Sequence, residues 1–277
     1  MRASGGERMA AVSEASAIAT ESEPRPSAAA RARSVPTLIA CLAGAALLTV
    51  SEPAGAVFVL LALTLAVLLL IWGWPVLTNS PEPTGTRLSL AVTAAAIVLA
   101  GYRAPDGIAL RHLPVAIAVG LIAAFLMQLV RGDIKAGVVT ALTSAAAGLT
   151  LVASVMALAV LPDLRGADRP LALAAAGIAA GLFADVLPGR MRGLTLLAGA
   201  ALGACGGLIG ALLVPTSATT AAAAVLGACA SVVALATRVA LGELPGSRYA
   251  VAPAVIAAAS LAAPGFVIVT IAKLLLG

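Results

Sequence analysis

The amino-acid sequence predicts an all-α fold, a polytopic bundle of about nine transmembrane helices. Hydrophobic residues make up 61% of the 277 residues and charged residues only 10%, whereas a soluble domain has about 45–50% and about 25%. The mean hydropathy is +1.09. Apolar segments near the roughly 20 residues that a membrane-spanning helix needs recur along the chain. These observations exclude a water-soluble globular domain, because no core of this size could bury so much apolar surface.

Nine apolar segments are predicted to cross the membrane. They comprise residues 35–50, 54–77, 87–102, 113–130, 136–161, 171–187, 194–214, 219–241 and 251–276. The first and third are close to the lower length limit of about 17 residues. Long runs of strict apolar–polar alternation are absent, so strands are not predicted.

The segment before the first span differs from the rest of the chain. Residues 1–34 are polar and rich in Ser, Ala, Pro and charged side chains, and such a segment buries too little apolar surface to fold alone. It also lacks the early hydrophobic region of a signal peptide. We therefore expect residues 1–34 to form a disordered cytoplasmic tail and residues 35–277 to form the transmembrane helical domain.

The distribution of basic residues predicts the orientation of the chain. If the N-terminus lies inside, most of the 17 Lys and Arg residues fall in the tail and in the loops after even-numbered spans, as the positive-inside rule requires. The C-terminus then lies outside. The Ala and Arg bias indicates a bacterial source, so the expected location is the bacterial cytoplasmic membrane. Trp72, Trp74, Tyr102 and Tyr249 flank spans and are typical of interfacial anchors.

Small residues dominate the predicted spans and form a regular ladder in the seventh. Gly199, Gly203 and Gly207 are spaced by four residues, which places them on one helix face where a neighbouring backbone can approach closely. This pattern favours packing against another helix of the same chain. The alternative is a homo-oligomer or a membrane partner that binds through the same face.

Two similar stretches, "DVLPGRMRG" at 185–193 and "GELPGSRYA" at 242–250, each combine an acid, Leu-Pro-Gly and a nearby arginine. Both are predicted at the cytoplasmic face. One interpretation is a site for an anion or an anionic lipid headgroup. Its candidate residues are Arg190, Arg192, Arg238 and Arg248. The other interpretation is two helix ends, stopped by Pro and Gly, that carry topology-determining arginines.

Ionisable residues inside predicted spans are costly and mark candidate functional positions. Asp185 and Arg238 lie at similar depths near the inner ends of the sixth and eighth spans, so we expect them to form an ion pair. The sequence predicts no catalytic residue, metal site or cofactor. The only histidine, His112, begins a span on the opposite side. Membrane lipids are the expected partners, and a nucleic-acid partner is not expected.

The layout resembles that of phosphatidate cytidylyltransferases (CDP-diglyceride synthases), which are also Ala-, Leu- and Gly-rich multi-helix membrane proteins. The match in their late cytoplasmic signature is Leu244-Pro245-Gly246, with Arg238 in place of a Lys-Arg pair. The His-Gly-Gly, Lys-Asp and metal-binding Asp-Arg-x-Asp elements of that signature are missing. The resemblance implies an eroded relative without the nucleotide chemistry.

Three functions fit the sequence. The first is a non-enzymatic membrane protein, either a permease-like carrier or an accessory membrane subunit. A carrier would be supported by a discontinuous span, and Pro264 is the one proline deep inside a span, although a simple kink is the expected result. The second is an enzyme that acts on lipid headgroups at the inner face. The third is a structural or interaction protein that acts through its tail.

Overall fold

A computed structural model describes residues 28–103, 112–130, 137–159, 169–186, 192–214, 216 and 218–275, and every regular element within them is helical. The chain divides into two units, Met1–Val35 and Pro36–Gly277. The α-helices are α1 (Ala28–Ala54), α2 (Ala56–Leu77), α3 (Pro83–Arg103), α4 (Leu113–Val130), α5 (Val138–Leu158), α6 (Pro170–Gly181), α7 (Arg192–Leu213), α8 (Thr220–Gly242), α9 (Ala252–Ala262) and α10 (Gly265–Leu275). Short 3-10 turns lie at Leu182–Val186 and Pro245–Arg248.

Seven helices within the described residues are long and apolar enough to cross a membrane. They are Val35–Glu52, Val57–Leu77, Leu113–Val130, Val138–Leu158, Gly193–Leu213, Thr220–Gly242 and Ala252–Leu275, the last counted across α9 and α10. The third and sixth predicted spans correspond to shorter apolar helices, Pro83–Leu99 and Pro170–Asp185. The protein is therefore a multi-pass, all-helical membrane protein, but seven rather than nine helices have the dimensions of a full span.

The first helix begins earlier than the sequence predicts. Helix α1 starts at Ala28, within the segment assigned to the disordered tail, and residues 1–27 of that predicted tail lie outside the described residues. At its other end, Glu52 caps a different helix. Its carboxylate accepts hydrogen bonds from the amides of Leu171 at 3.3 Å and Ala172 at 2.6 Å, in the first turn of α6. An acidic side chain at that position satisfies free amides and complements the helix dipole.

Large apolar side chains cover the outside of the bundle. Leu212 is 86% exposed, Val130 is 83% exposed and Leu274 is 77% exposed. In water such a surface would be an aggregation or interaction site. In a bilayer the same side chains contact acyl chains at no cost, which is consistent with the apolar composition of all the long helices.

The two tryptophans at the end of α2 have different environments. Trp72 is 65% exposed, and the guanidinium of Arg87 lies 4.8 Å from the centroid of its ring, an arrangement that suits the predicted interfacial anchor. The same prediction is wrong for Trp74, which is 3% exposed and donates its indole N–H to the Ser144 carbonyl oxygen at 2.8 Å. Residues two apart project from different sides of a helix, so the pair could not share one environment.

Helices α6, α7 and α8 pack together through glycine. A Cβ at Gly203 would lie 2.6 Å from the carbonyl oxygen of Gly227, and a Cβ at Gly206 would lie 2.6 Å from that of Ala176. The glycine ladder therefore faces α8 of the same chain, and Ser231 adds a hydrogen bond to the Gly199 carbonyl oxygen at 2.9 Å.

Candidate functional site

The candidate site is built around a buried ion pair between the turn after α6 and the last part of α8. Arg238 donates its Nε–H to Oδ2 of Asp185 at 3.0 Å. The side chain of Arg238 is 5% exposed and that of Asp185 is 18% exposed. The structure thus brings together the two residues that the sequence pairs by their depth. A charge buried to this extent requires a partner, because its desolvation costs several kcal/mol.

The pair leaves one edge of the guanidinium unused. Nη1 and Nη2 of Arg238 are buried, and neither has a hydrogen-bond partner among the described residues. A guanidinium has five N–H donors, so Asp185 accounts for one and four remain. Leaving a buried donor unpaired costs about 1–3 kcal/mol, and more for a charged group. The free edge is the fork that binds carboxylates and phosphates in a bidentate manner.

Two small polar side chains from other helices lie beside the pair. The Sγ atom of Cys41 in α1 is 3.5 Å from the Oγ atom of Ser260 in α9. Both side chains are 0% exposed. The Cys41 thiol interacts electrostatically with both Arg238 and Asp185. Residues from α1, the turn after α6, α8 and α9 therefore meet in one buried region, and the sequence analysis did not identify Cys41 or Ser260 as part of it.

The other predicted arginines do not join this cluster. Arg190 lies outside the described residues, as does the side chain of Arg192, whose backbone begins α7. Arg248 is described and exposed, in the 3-10 turn after α8. Of the four predicted anion-binding residues, Arg238 is the one that the described structure places at a buried polar site.

The second Leu-Pro-Gly stretch has a clear packing role. Gly246 is buried in the turn Pro245–Arg248, and a Cβ at this position would collide with the carbonyl oxygens of Val76 and Leu77 at the end of α2. Pro245 begins the turn directly after the helix, where proline cannot continue it. The tripeptide Leu244-Pro245-Gly246, on which the resemblance to phosphatidate cytidylyltransferases depends, packs the end of α8 against the end of α2. In the first stretch the tripeptide Leu187-Pro188-Gly189 itself lies outside the described residues.

We expect Gly246→Ala to lower the free energy of unfolding in detergent by about 1–3 kcal/mol, because the added methyl group must displace the backbone of α2. The matched control is Gly242→Ala at the last residue of α8, where a Cβ would meet nothing within 4 Å. An SDS unfolding titration of both variants measures the difference. Equal stability of the two would show that the tripeptide is only a helix stop.

The helical hydrogen bonding of the last predicted span is broken halfway along its length. Helix α9 ends at Ala262 and α10 begins at Gly265, with Ala263 and Pro264 in a turn between them. Proline lacks an N–H and clashes with the preceding turn, so it frees carbonyl groups inside the helix. The Ser154 hydroxyl from α5 donates to the carbonyl oxygens of Ala262 at 2.7 Å and Ala263 at 3.2 Å.

The same hydroxyl also satisfies the start of the second half-helix. It accepts a hydrogen bond from the amide of Phe266 at 3.2 Å. A Cβ at Gly265 would collide with the Ser154 backbone, so the glycine permits the close approach of α10 to α5. The sequence analysis expected a simple kink at Pro264. The backbone stays helical at Ala263, whose amide donates to the Ala259 carbonyl oxygen, and Ala252–Leu275 has the length of one span. The structure is therefore consistent with a kink, where the Ser154 hydroxyl is inserted between the Ala262 carbonyl and the Phe266 amide.

An apolar cavity lies between α1, α2, α5 and the first half of the interrupted span. Its volume is about 310 Å³. Small side chains create the space on three of the helices; they include Ala40, Ala43, Gly44, Ala62, Ala66 and Ala257. Leu47 and Leu65 also line the cavity and are 46% and 51% exposed, so the cavity reaches the lipid-facing surface. No local sequence motif signals this cavity, because its walls come from segments far apart in the chain.

Among the described residues, no group of three or more His, Cys, Asp and Glu side chains is placed to hold a metal ion. Neither a protein-family model, nor a curated protein, nor a solved structure matches the chain. The interpretation of the site therefore depends on its own geometry.

Proposed function

We propose that this chain is a non-enzymatic, permease-like carrier of the bacterial cytoplasmic membrane, with nine membrane-crossing segments and a cytoplasmic N-terminus. The observation that supports this proposal most directly is the break in helical hydrogen bonding between α9 and α10, where the Ser154 hydroxyl is inserted between the Ala262 carbonyl and the Phe266 amide. In secondary transporters, discontinuous helices bring unwound backbone and free helix ends to the substrate, and irregular backbone is tolerated in a membrane only where it is buried or lines a cavity.

The packing of the short helix α6 supports the count of nine. Gly177 of α6 faces Gly227 of α8, and Gly181 faces Ser231. The contacts follow the same order along the two helices, so α6 and α8 run parallel. Helix α7 runs against both, since Gly203 and Gly207 face Gly227 and Ala223 in reverse order. This alternation is expected if the chain crosses the membrane at each of the three helices. The 3-10 turn after Gly181 extends the short helix toward the other side.

In a carrier, the groups at the interruption become accessible to water during transport. We therefore expect a cysteine at position 154, introduced after replacing Cys41, Cys205 and Cys229 with serine, to react with a membrane-impermeant thiol reagent. Because carriers expose their central site alternately, it should react from either side, in right-side-out and in inside-out vesicles. Ser154 is 2% exposed in the structure, so any reaction requires the bundle to open.

Thr270→Cys in the same background is the control. Thr270 is an exposed residue of α10 on the lipid-facing surface, where a charged reagent does not reach. Reaction at 154 that exceeds reaction at 270 from both sides supports the carrier. If position 154 is no more reactive than position 270 from either side, the interruption is static and the chain is better interpreted as an accessory membrane subunit.

A further inference from the structure

The Arg238 cluster, which comprises Cys41, Asp185, Arg238 and Ser260, is adjacent to the apolar cavity. The buried residues around Cys41 include Leu182 and Ala257, and Ala40 packs against them. Two of these residues, Ala40 and Ala257, also line the cavity. Cys41 therefore has neighbours in both features, because its thiol interacts with Arg238 and Asp185 and the adjacent Ala40 and Ala257 line the cavity.

The guanidinium edge of Arg238 and the apolar cavity suit chemically different parts of one ligand. The free edge of Arg238 carries N–H donors with no partner among the described residues, and an oxyanion with two oxygens satisfies such an edge. The cavity lining is almost entirely apolar, formed by Ala, Gly, Val and Leu side chains, and its open side faces the acyl chains of the bilayer. Neither feature alone specifies a ligand, but a headgroup site that adjoins a tail site specifies an amphiphile.

The size of the cavity limits the tail to one chain. Its volume of about 310 Å³ is roughly twice that of an engineered 150 Å³ cavity that binds one benzene molecule. That comparison gives room for about a dozen carbon atoms. On α1 the cavity extends from Ala40 to Leu48, a rise of about 12 Å at 1.5 Å per residue. These dimensions suit one alkyl chain of about twelve carbon atoms.

We propose that this chain binds a single-chain amphiphile with a carboxylate headgroup, whose carboxylate pairs with Nη1 and Nη2 of Arg238 and whose alkyl chain fills the cavity between α1, α2, α5 and α9. Cys41, which interacts with Arg238 and is packed with two residues of the cavity lining, is the described link between the two halves of the site. Asp185 keeps its bond to Nε, because the carboxylate uses the other edge. The inference goes beyond the proposed function, because it holds whether or not the ninth segment moves.

Three probes separate the head from the tail. Dodecanoate carries both the carboxylate and a chain of the right length, 1-dodecanol carries the chain alone, and acetate carries the carboxylate alone. Native mass spectrometry of the full chain, purified in detergent, reports the fraction of protein bound to each probe. We expect saturable binding of dodecanoate at one site per chain, at least about tenfold tighter than that of dodecanol, which corresponds to 1.4 kcal/mol. Acetate should not bind.

A matched pair of variants tests the tail site. Ala43 and Ala46 are both exposed residues of α1, but only Ala43 lines the cavity. Ala43→Leu should block the cavity and reduce dodecanoate binding by about tenfold or more, whereas Ala46→Leu should bind like the wild type. Both substitutions are at exposed positions, where the expected change in stability is within about 0.5 kcal/mol.

Arg238→Lys tests the head site without removing the positive charge from Asp185. A lysine can keep the ion pair but lacks the planar fork, so we expect weaker dodecanoate binding with little change in dodecanol binding. Arg248→Lys, at an exposed position, is the control. Equal dodecanoate binding in Ala43→Leu and Ala46→Leu would overturn the proposal, as would equal affinity for dodecanoate and dodecanol in the wild type. The reactivity of position 154 is a separate measurement, so failure here leaves the carrier proposal standing.

Discussion

Substitution of Asp185 by leucine is expected to lower the free energy of unfolding by about 3–5 kcal/mol, which is the usual cost of removing one partner of a buried ion pair. Asp185 provides the one hydrogen bond that the described residues make to the guanidinium of Arg238. Without it, a cation that is 5% exposed has neither solvent nor a described partner. The loss should appear as a lower midpoint in an SDS unfolding titration.

A second substitution distinguishes the charge from the packing. Arg238→Met in the Asp185→Leu background removes the stranded cation, and replacing both partners of a buried pair by apolar residues is often neutral or stabilising. The double variant should therefore be more stable than Asp185→Leu alone. Arg248→Gln, at an exposed arginine in the turn after α8, should change stability by less than about 0.5 kcal/mol. Additive losses in the double variant would mean that the two side chains are not energetically coupled.

The sequence contains enough information for the class of fold and for the approximate helices, because apolar segments of spanning length dominate the chain. It does not reveal how a helix ends inside the bundle. The sixth predicted span, 171–187, becomes an α-helix that ends at Gly181 followed by a 3-10 turn. In the ninth, the helical hydrogen bonding is broken next to Pro264, where Ser154 of α5 bonds to the carbonyl oxygens of Ala262 and Ala263 and to the Phe266 amide. The hydrophobicity of a segment gives no information about a hydrogen-bonding side chain that comes from another helix.

The candidate site also has one part that the sequence predicts and another that depends on how the helices pack. Depth along the sixth and eighth spans was sufficient to place Asp185 opposite Arg238. The unused guanidinium edge, the neighbouring Cys41 and Ser260, and the cavity beyond them depend on which helices are neighbours. Residues 41 and 260 are 219 positions apart in the chain, so no local pattern could connect them. Trp72 and Trp74 likewise look equivalent in the sequence. Their environments differ because the indole N–H of Trp74 donates to the Ser144 carbonyl oxygen of a neighbouring helix.

Substitution of Gly227 by leucine is expected to cost about 3 kcal/mol or more, beyond the usual 1–3 kcal/mol of an overpacked core position. Gly227 lies where α6, α7 and α8 meet. A Cβ added there would collide with the carbonyl oxygen of Gly203 and would lie 3.0 Å from the Cα of Gly207. On the other side, a Cβ at Gly177 would lie 2.7 Å from the Gly227 carbonyl oxygen. Because the obstacles to a Cβ at position 227 are backbone atoms of α7, no side-chain rotation can relieve the clash.

Alanine at the same position gives the sharper test, because intrinsic helix propensity and packing act in opposite directions. In a helix interior, Gly→Ala is favourable by about 1 kcal/mol when nothing obstructs the methyl group. Gly193 lies in the first turn of α7 rather than in its interior, but a Cβ there has nothing within 4 Å, so Gly193→Ala should raise the SDS midpoint by less than this interior value. Gly227→Ala should lower it. A higher SDS midpoint for Gly193→Ala and a lower one for Gly227→Ala would show that close backbone contact among α6, α7 and α8 stabilises this part of the bundle. A higher midpoint for both variants would place the three helices further apart than the structure has them.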